Sequence, residues 1–129
     1  MNVSIELQKA IYQQLALGSY DVTEIKQTSP VFPFIEIGQE IQRDVNVKSH
    51  NRTFHHVTIH TFSKGSDSSV SKVMNQFVKD SILNLKQVDS FQVDFVRLDN
   101  LLTLTETEID TTIWHGILQF EIELTGRKI

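Results

Sequence analysis

The apolar residues between Val70 and Ile82 recur every three or four positions, which is the period of an α-helix. A helix with this spacing presents one apolar stripe, here about four turns long, to a protein core. Lys64 and Gly65 interrupt the preceding pattern, and Ser66 or Asp67 is placed to cap the helix. The stripe consists of Val70, Val73, Met74, Phe77, Val78 and Ile82.

A second helix is predicted near the N-terminus, over Ser4 to Leu17. Leu7, Ile11 and Leu15 follow each other at intervals of four residues. Ser4 is placed as the cap, with an acidic residue in the first turn. Gly18 follows the last apolar position, where a left-handed residue commonly ends a helix.

Two segments in the middle of the chain alternate with a period of two, which is typical of β-strands. In Phe34 to Ile41, three isoleucines (Ile35, Ile37 and Ile41) alternate with Glu36 and Glu40. In Arg52 to Ser63, Val57 and Ile59 lie on one side, and Phe54, His56, His60 and Phe62 lie on the other. Both faces of the second strand carry apolar or aromatic groups, so both are expected to be partly covered.

Three further strands are predicted after Asp89. They are Phe91 to Leu98, Leu101 to Ile109, and Thr112 to Leu124, with tight turns expected at Asp99–Asn100 and Asp110–Thr111. In the last strand Trp114, Leu118, Phe120, Ile122 and Leu124 share one side, while Gln119, Glu121 and Glu123 share the other.

Two connections complete the pattern. Ser19 to Pro33 holds both prolines and reads as a long connection with a short strand around Tyr20 to Val22. Gln42 to Asn51 is polar and predicts a mobile hairpin loop or arm. Runs of strands with the helices set to one side indicate an α+β fold, with a mainly antiparallel or mixed β-sheet and two α-helices packed on one face.

Length and composition narrow the class of protein. The chain has 129 residues, which suits a single domain over 1–129. With a formal charge of −4, the chain has no excess of basic residues with which to bind nucleic acid. The absence of cysteine excludes disulfides and thiolate chemistry. No apolar run approaches the roughly 18 residues of a membrane span, and the start MNVSIELQKA lacks the basic-then-apolar pattern of a signal peptide.

The search for catalytic or metal-binding chemistry finds no strong motif. Four of the five histidines (His50, His55, His56 and His60) fall close together, but His56 and His60 on one strand face would be roughly 13 Å apart, too far for one metal ion. His115 beside Trp114 is more typical of a packed residue. Glu106, Glu108 and Asp110 alternate with threonines as a solvated strand face does, and common nucleophile, zinc and phosphate-loop motifs are absent. We therefore expect no catalytic residue, no metal and no cofactor.

The surface pattern favours a subunit of an assembly. Strands that are apolar on two faces need cover, and neighbouring copies could provide it. The alternative, that the helices and loops cover both faces within one chain, remains open at this point.

Five segments carry a resemblance through their order and spacing. They are SIELQKAIYQQL, VFPFIEIG, VTIHTFSKGS, VSKVMNQFVKDSIL and WHGILQFEIEL, and they run from about Ser4 to Leu124. Within them stand Phe32, Pro33 and Phe34 ahead of Ile37 and Gly38, the run Ile59 to Ser63, and His115 with Gly116. In this order the segments resemble the tail-completion, or tail-terminator, proteins of long-tailed bacteriophages, small subunits that join head to tail.

The resemblance implies a non-enzymatic virion protein. It implies a homo-oligomeric ring, usually of six subunits, at the head–tail junction of the virion, made in the host cytoplasm during assembly. Its implied partners are the tail-tube protein and a head connector or stopper protein, and DNA passes through the ring without sequence-specific binding. No membrane is involved.

The polar arm supplies the candidate partner-binding residues. Arg43, Asp44, Lys48 and Arg52 flank it and are expected to be inter-subunit or tube-facing charges, against the alternative that they are solvated loop charges. Two other functions remain open: a neighbouring head–tail connector or stopper, and a small metal-binding domain that uses the histidine-rich strand.

Overall fold

The computed structural model describes residues 2–24, 31–46 and 50–127. Its elements in chain order are α1 (Val3–Ala16), β1 (Asp21–Thr23), β2 (Phe34–Asn46), β3 (His50–Lys64), α2 (Ser69–Leu83), β4 (Gln87–Val88), β5 (Phe91–Glu108) and β6 (Thr111–Arg127). None of the helices in these ranges is long and apolar enough to cross a membrane.

The strands form one six-stranded sheet in the order β1-β2-β3-β6-β5-β4. β1 and β2 are parallel, and every other neighbouring pair is antiparallel. The predicted α+β fold with a mixed sheet is therefore confirmed, and the short strand expected near Tyr20 is β1.

Both helices pack on the same face of the sheet. The buried side chains of α1 (Leu7, Ile11, Leu15) and α2 (Met74, Val78, Ile82) meet those of the central strands, which are Ile35, Ile37, Val57, Ile59, Leu118, Phe120, Ile122 and Leu124. Each large apolar side chain buried in this way contributes roughly 1.5–3 kcal/mol. The core side that the period-two pattern predicts for β6 is confirmed for Leu118, Phe120, Ile122 and Leu124, which are all fully buried.

The helix ends differ in detail from the predictions. The side chain of Asn2, not Ser4, caps α1, since it accepts a hydrogen bond of 3.1 Å from the Ile5 N–H. At α2 the N-cap is Ser68, and Asp67 Oδ1 accepts from the Ser69 N–H at 2.9 Å. Gly18 is not left-handed, because no described glycine has a positive φ. A Cβ at Gly18 would overlap the ring of Phe77, so the glycine permits close packing of the two helices.

The tight turn predicted at Asp99–Asn100 is wrong. β5 runs without a turn from Phe91 to Glu108, and the register against β6 shifts between Leu98 and Asn100, as at a β-bulge. The extra residue, Asp99, accepts a hydrogen bond of 2.8 Å from Nε of Arg97. The second predicted turn is present, and Asp110 has the positive φ of 68° that Asp tolerates in turns.

A second irregularity changes the faces of β2. The register against β3 shifts between Ile37 and Glu40. Glu40 therefore turns toward the helices, and Ile41, expected beside Ile35 and Ile37, lies on the other face with 63% of its surface exposed. β2 then continues through Asn46, so much of the predicted arm Gln42 to Asn51 is paired strand; residues 47–49, Lys48 among them, lie outside the described residues.

The two long hairpins point in opposite directions. β3 pairs with β6 along its whole length, with His50 opposite Arg127 at one end and Lys64 opposite Ile113 at the other. The end of β2 and the start of β3 therefore lie at one end of the sheet, and the β5–β6 turn lies at the opposite end.

Candidate subunit and partner interface

The face of the sheet turned away from the helices, here called the open face, carries a row of aromatic rings. The distances between ring centroids are 5.3 Å for Phe32 and Phe34, 4.8 Å for Phe34 and Phe62, and 4.3 Å for Phe62 and His115. The register accounts for the row, because Phe34 lies opposite Phe62 and Phe62 lies opposite His115. The row thus crosses three strands and buries Phe34 without help from a helix.

Two histidines meet at the end of this row. Nδ1 of His60 lies 2.8 Å from Nε2 of His115, so one imidazole donates a hydrogen bond to the other. Burial lowers the pKa of His115, the charge of His60 lowers it further, and Glu106 opposes the shift. The pairing of β3 with β6 creates this contact, which the spacing of the histidines along the chain did not predict.

The histidines otherwise form separate pairs. His55 Nδ1 lies 2.5 Å from Glu40, and His56 Nδ1 lies 3.8 Å from Asp99. Within the described part of the chain, no group of three or more His, Asp or Glu side chains could hold a metal ion. The metal-binding alternative therefore gains no ligand set from these residues.

The β5–β6 hairpin exposes apolar side chains. Leu101, Leu102 and Leu104 are 44%, 50% and 44% exposed, and Ile109 at the turn is 93% exposed. Every residue from Leu101 to Asp110 is exposed, including the carboxylates Glu106, Glu108 and Asp110. Glu108 lies 3.3 Å from Nζ of Lys64, an exposed ion pair typical of a solvated face.

A smaller apolar patch lies where α1 ends and α2 begins. Val70 and Val73, expected in the buried stripe of α2, are exposed, and they border a shallow depression with Tyr20. Leu17 is also exposed. The stripe was therefore predicted correctly only for its members that face the sheet and α1.

The predicted charged residues do not form one cluster. The guanidinium of Arg43 lies 5.0 Å from the centroid of Phe54 on the open face, and that of Arg52 lies 5.7 Å from the same ring. Arg52 also forms an ion pair with the buried Glu123. Asp44 accepts a hydrogen bond of 2.8 Å from Gln42 on its own strand, and Lys48 lies outside the described residues.

Sequence reasoning missed a buried polar network under α1. His55 is fully buried, and it contacts Glu40 through Nδ1 and Thr53 through Nε2, the latter at 2.8 Å. Glu40 also accepts a hydrogen bond of 2.5 Å from the Ser4 hydroxyl. Burial opposes ionisation of Glu40, but the bonds from His55 and Ser4 outweigh it and lower its pKa. The signal was the strand parity of His55, which placed it on the core side with Val57 and Ile59.

Comparison with known proteins rests on the fold. No protein-family model matches the sequence, and no curated protein matches it. Among solved structures, a chain from "Virion of native gene transfer agent (GTA) particle" matches with a TM-score of 0.80 and 17% sequence identity. The match covers 96% of this chain and 98% of that chain, so the two share the whole of one fold.

Proposed function

We propose that this chain is a non-enzymatic subunit of a phage-type particle that forms a ring, ends growth of the tail tube and joins the tail to the head. The observation that carries the proposal is the fold shared, over nearly the full length of both chains, with a chain of a gene transfer agent virion. The order of sequence segments that resembles tail-completion proteins supports a position at the head–tail junction.

The surface supports assembly with other chains. The leucines of the β5–β6 hairpin, Ile41 on β2 and the aromatic row all lie on faces or edges that the two helices leave uncovered. Exposed apolar groups gathered in this way mark surfaces that other proteins cover. An assembly subunit needs such surfaces toward its own copies and toward at least two different partners.

The mechanism proposed is surface complementarity. One face of the ring imitates the next ring of the tail tube and binds the last real one, and the other face lacks the repeating surface, so growth stops. That second face binds the connector or stopper of the head. The net charge of −4 disfavours adhesion of DNA to a channel through which DNA must pass.

Arg43, Asp44, Lys48 and Arg52 are each proposed to contact the tube or a neighbouring subunit. Arg43 is the best placed of the described residues, because its guanidinium is exposed over Phe54 and has no carboxylate partner in the described ion pairs. Arg52 also supports the fold, since it neutralises buried Glu123.

The proposal is tested by adding the purified chain to polymerising tail-tube protein and imaging the products by negative stain. We expect shorter tubes, each with a ring at one end, and subsequent binding of those ends to connector protein. Tubes of unchanged length with no ring would contradict the proposal. Binding to connector protein without any effect on tubes would assign the chain to the connector side of the junction instead. Arg43→Ala tests the arm, with Lys72→Ala on α2 as its control.

A further inference from the structure

The sheet has two strand edges without a neighbouring strand in the described part of the chain. β1 covers β2 only at Phe34–Glu36, and β4 covers β5 only at Phe91 and Gln92. Beyond those short stretches, two strand segments each present a row of backbone donors and acceptors on one side. They are the rest of β2, as far as Asn46, and the rest of β5, as far as Glu108. At about 3.3 Å per residue, these edges are about 30 Å and 50 Å long.

Most of the β5 edge is protected against pairing. Its first half carries Asp94, Arg97 and Asp99 and contains both irregularities of register. Charges and bulges of this kind discourage edge-to-edge contact. The segment Asn100–Thr105, with sequence NLLTLT, has no charge, no proline, no glycine and no bulge. An exposed apolar edge of this type is a site for strand addition.

The two edges have compatible directions. β2 is antiparallel to β3, β3 to β6, and β6 to β5, so β2 and β5 run in opposite directions. When two copies stand side by side with their sheets facing the same way, β5 of one therefore meets β2 of the next as an antiparallel pair. This contact is head-to-tail, the type that closes into a ring when the rotation between subunits allows it.

The exposed side chains on the two edges also match. Leu102 and Leu104 lie on the open face, because they are opposite Ile117 and His115. Ile41, opposite His56, lies on the same face of β2 and is equally without cover. If the sheet continued from one copy to the next, these apolar groups would lie side by side. They lie at different heights along the strands, and a shift of each copy along the strand direction brings them level, as in the register stagger of a closed sheet.

We propose that Asn100–Thr105 of β5 pairs as an antiparallel strand with Glu40–Val45 of β2 in a second copy of this chain. The inference rests on the proposed function in that the contact is the one that would build the ring. It goes further by naming the edges that meet, and it predicts a sheet that continues from subunit to subunit.

Disulfide trapping tests the contact cleanly, because the natural chain has no cysteine. β3 and β6 separate Ile41 from Leu104, so their Cα atoms are at least about 14 Å apart within one chain, beyond the limit of about 7 Å for a disulfide. Any bond between cysteines at these positions must therefore join two copies. Both side chains are exposed, at 63% for Ile41 and 44% for Leu104, so substitution by Cys leaves the core intact.

In the proposed register Leu104 lies opposite Ile41, so the Ile41→Cys and Leu104→Cys variants are mixed under mild oxidation, alone and with tail-tube ends. We expect a disulfide-linked dimer in the mixture at least tenfold above that formed by Leu104→Cys with Lys72→Cys, a control on exposed α2 surface. The double variant should give a ladder that ends at the ring. A bond formed by Leu104→Cys with itself would overturn the proposal in favour of two-fold β5 pairing. No bond in either condition would also overturn it.

The same experiment separates the two proposals. Capped tubes without the Ile41–Leu104 bond would leave the proposed function in place and remove this contact. The bond without any effect on tubes would leave the contact in place and remove the proposed function.

Discussion

His55, fully buried in β3, places its Nδ1 2.5 Å from a carboxylate oxygen of Glu40 in β2. The other carboxylate oxygen of Glu40 accepts from Ser4 in α1. One carboxylate therefore ties the first helix to two strands, at the point where the β2 bulge turns it inward. Groups that bond an ionised carboxylate stabilise its charged form and so lower its pKa, as they do for Glu40.

Replacing Glu40 by Gln should destabilise the fold and weaken its acid dependence. In the folded chain the pKa of Glu40 lies below its ordinary value of 4.5, so the ionised group contributes stability above that pH and loses it as the pH falls through the folded pKa. We expect the free energy of unfolding at pH 7 to fall by about 1–3 kcal/mol, because the buried His55 loses its charged partner. Urea denaturation from pH 7 to pH 3 measures both effects. Glu36→Gln on the open face is the control, and equal acid dependence in both variants would contradict the prediction.

Replacing His115 by Gln should flatten the dependence of stability on pH just below neutrality. The pKa of His115 is lowered from 6.5 by burial and by His60. As the pH falls below 6.5 the unfolded chain therefore takes up this proton before the folded chain does, and the natural protein loses stability until its folded pKa is reached. Melting midpoints between pH 7.5 and pH 5 should fall less steeply in the variant. A slope as steep as that of the natural protein would count against the prediction, and His56→Gln serves as the exposed control.

Gly116→Ala should lower the free energy of unfolding by about 1–3 kcal/mol through overpacking. A Cβ at this position would overlap Thr61 and Asn75, whose side chains share a buried hydrogen bond of 2.6 Å between β3 and α2. Gly65→Ala is the matched control, because its nearest atom would be the Asp67 carbonyl oxygen at 3.6 Å. Chemical denaturation compares the two, and equal losses would show that α2 does not need the close approach at Gly116.

Arg52→Ala should lower the thermal midpoint more than Arg43→Ala does. Removing Arg52 leaves the carboxylate of Glu123 buried without its partner, whereas Arg43 is exposed and contacts Phe54 without a carboxylate partner in the described ion pairs. If Arg43 contacts a partner, its variant should instead fail in the tube-capping assay while melting normally. Scanning calorimetry of both variants checks the order, and a reversed order would contradict it.

The elements with a sustained period could be predicted from the sequence. α1 and α2 were found from their apolar spacing, and the core side of β6 was found from strict alternation through Leu118, Phe120, Ile122 and Leu124. Predictions were wrong where a local sequence preference conflicted with the pairing of strands in the folded chain. Asp99 and Asn100 favour a turn, but the paired length of β6 holds them in a bulged strand.

The candidate site was harder to predict, because pairing across the sheet creates it. No pattern in the chain specifies that His60 meets His115, that Phe34 stacks on Phe62, or that Glu40 turns inward. Each depends on strand order or on a bulge of one residue. The charges of the arm were visible in the sequence, but the ion pair that engages Arg52 was not.

The opposite placement of the two hairpin connections makes each subunit electrically directional along its strands. Apart from Arg52, which pairs with Glu123, and Glu108, which pairs with Lys64, the segment 43–52 carries two cationic residues and one carboxylate, whereas 106–110 carries two carboxylates and no cation. β3 spans the distance between these ends with 15 residues, or about 50 Å. In the proposed ring, copies in one orientation would make one rim more negative than the other. Partner proteins could then distinguish the two rims by charge alone, before any close contact forms.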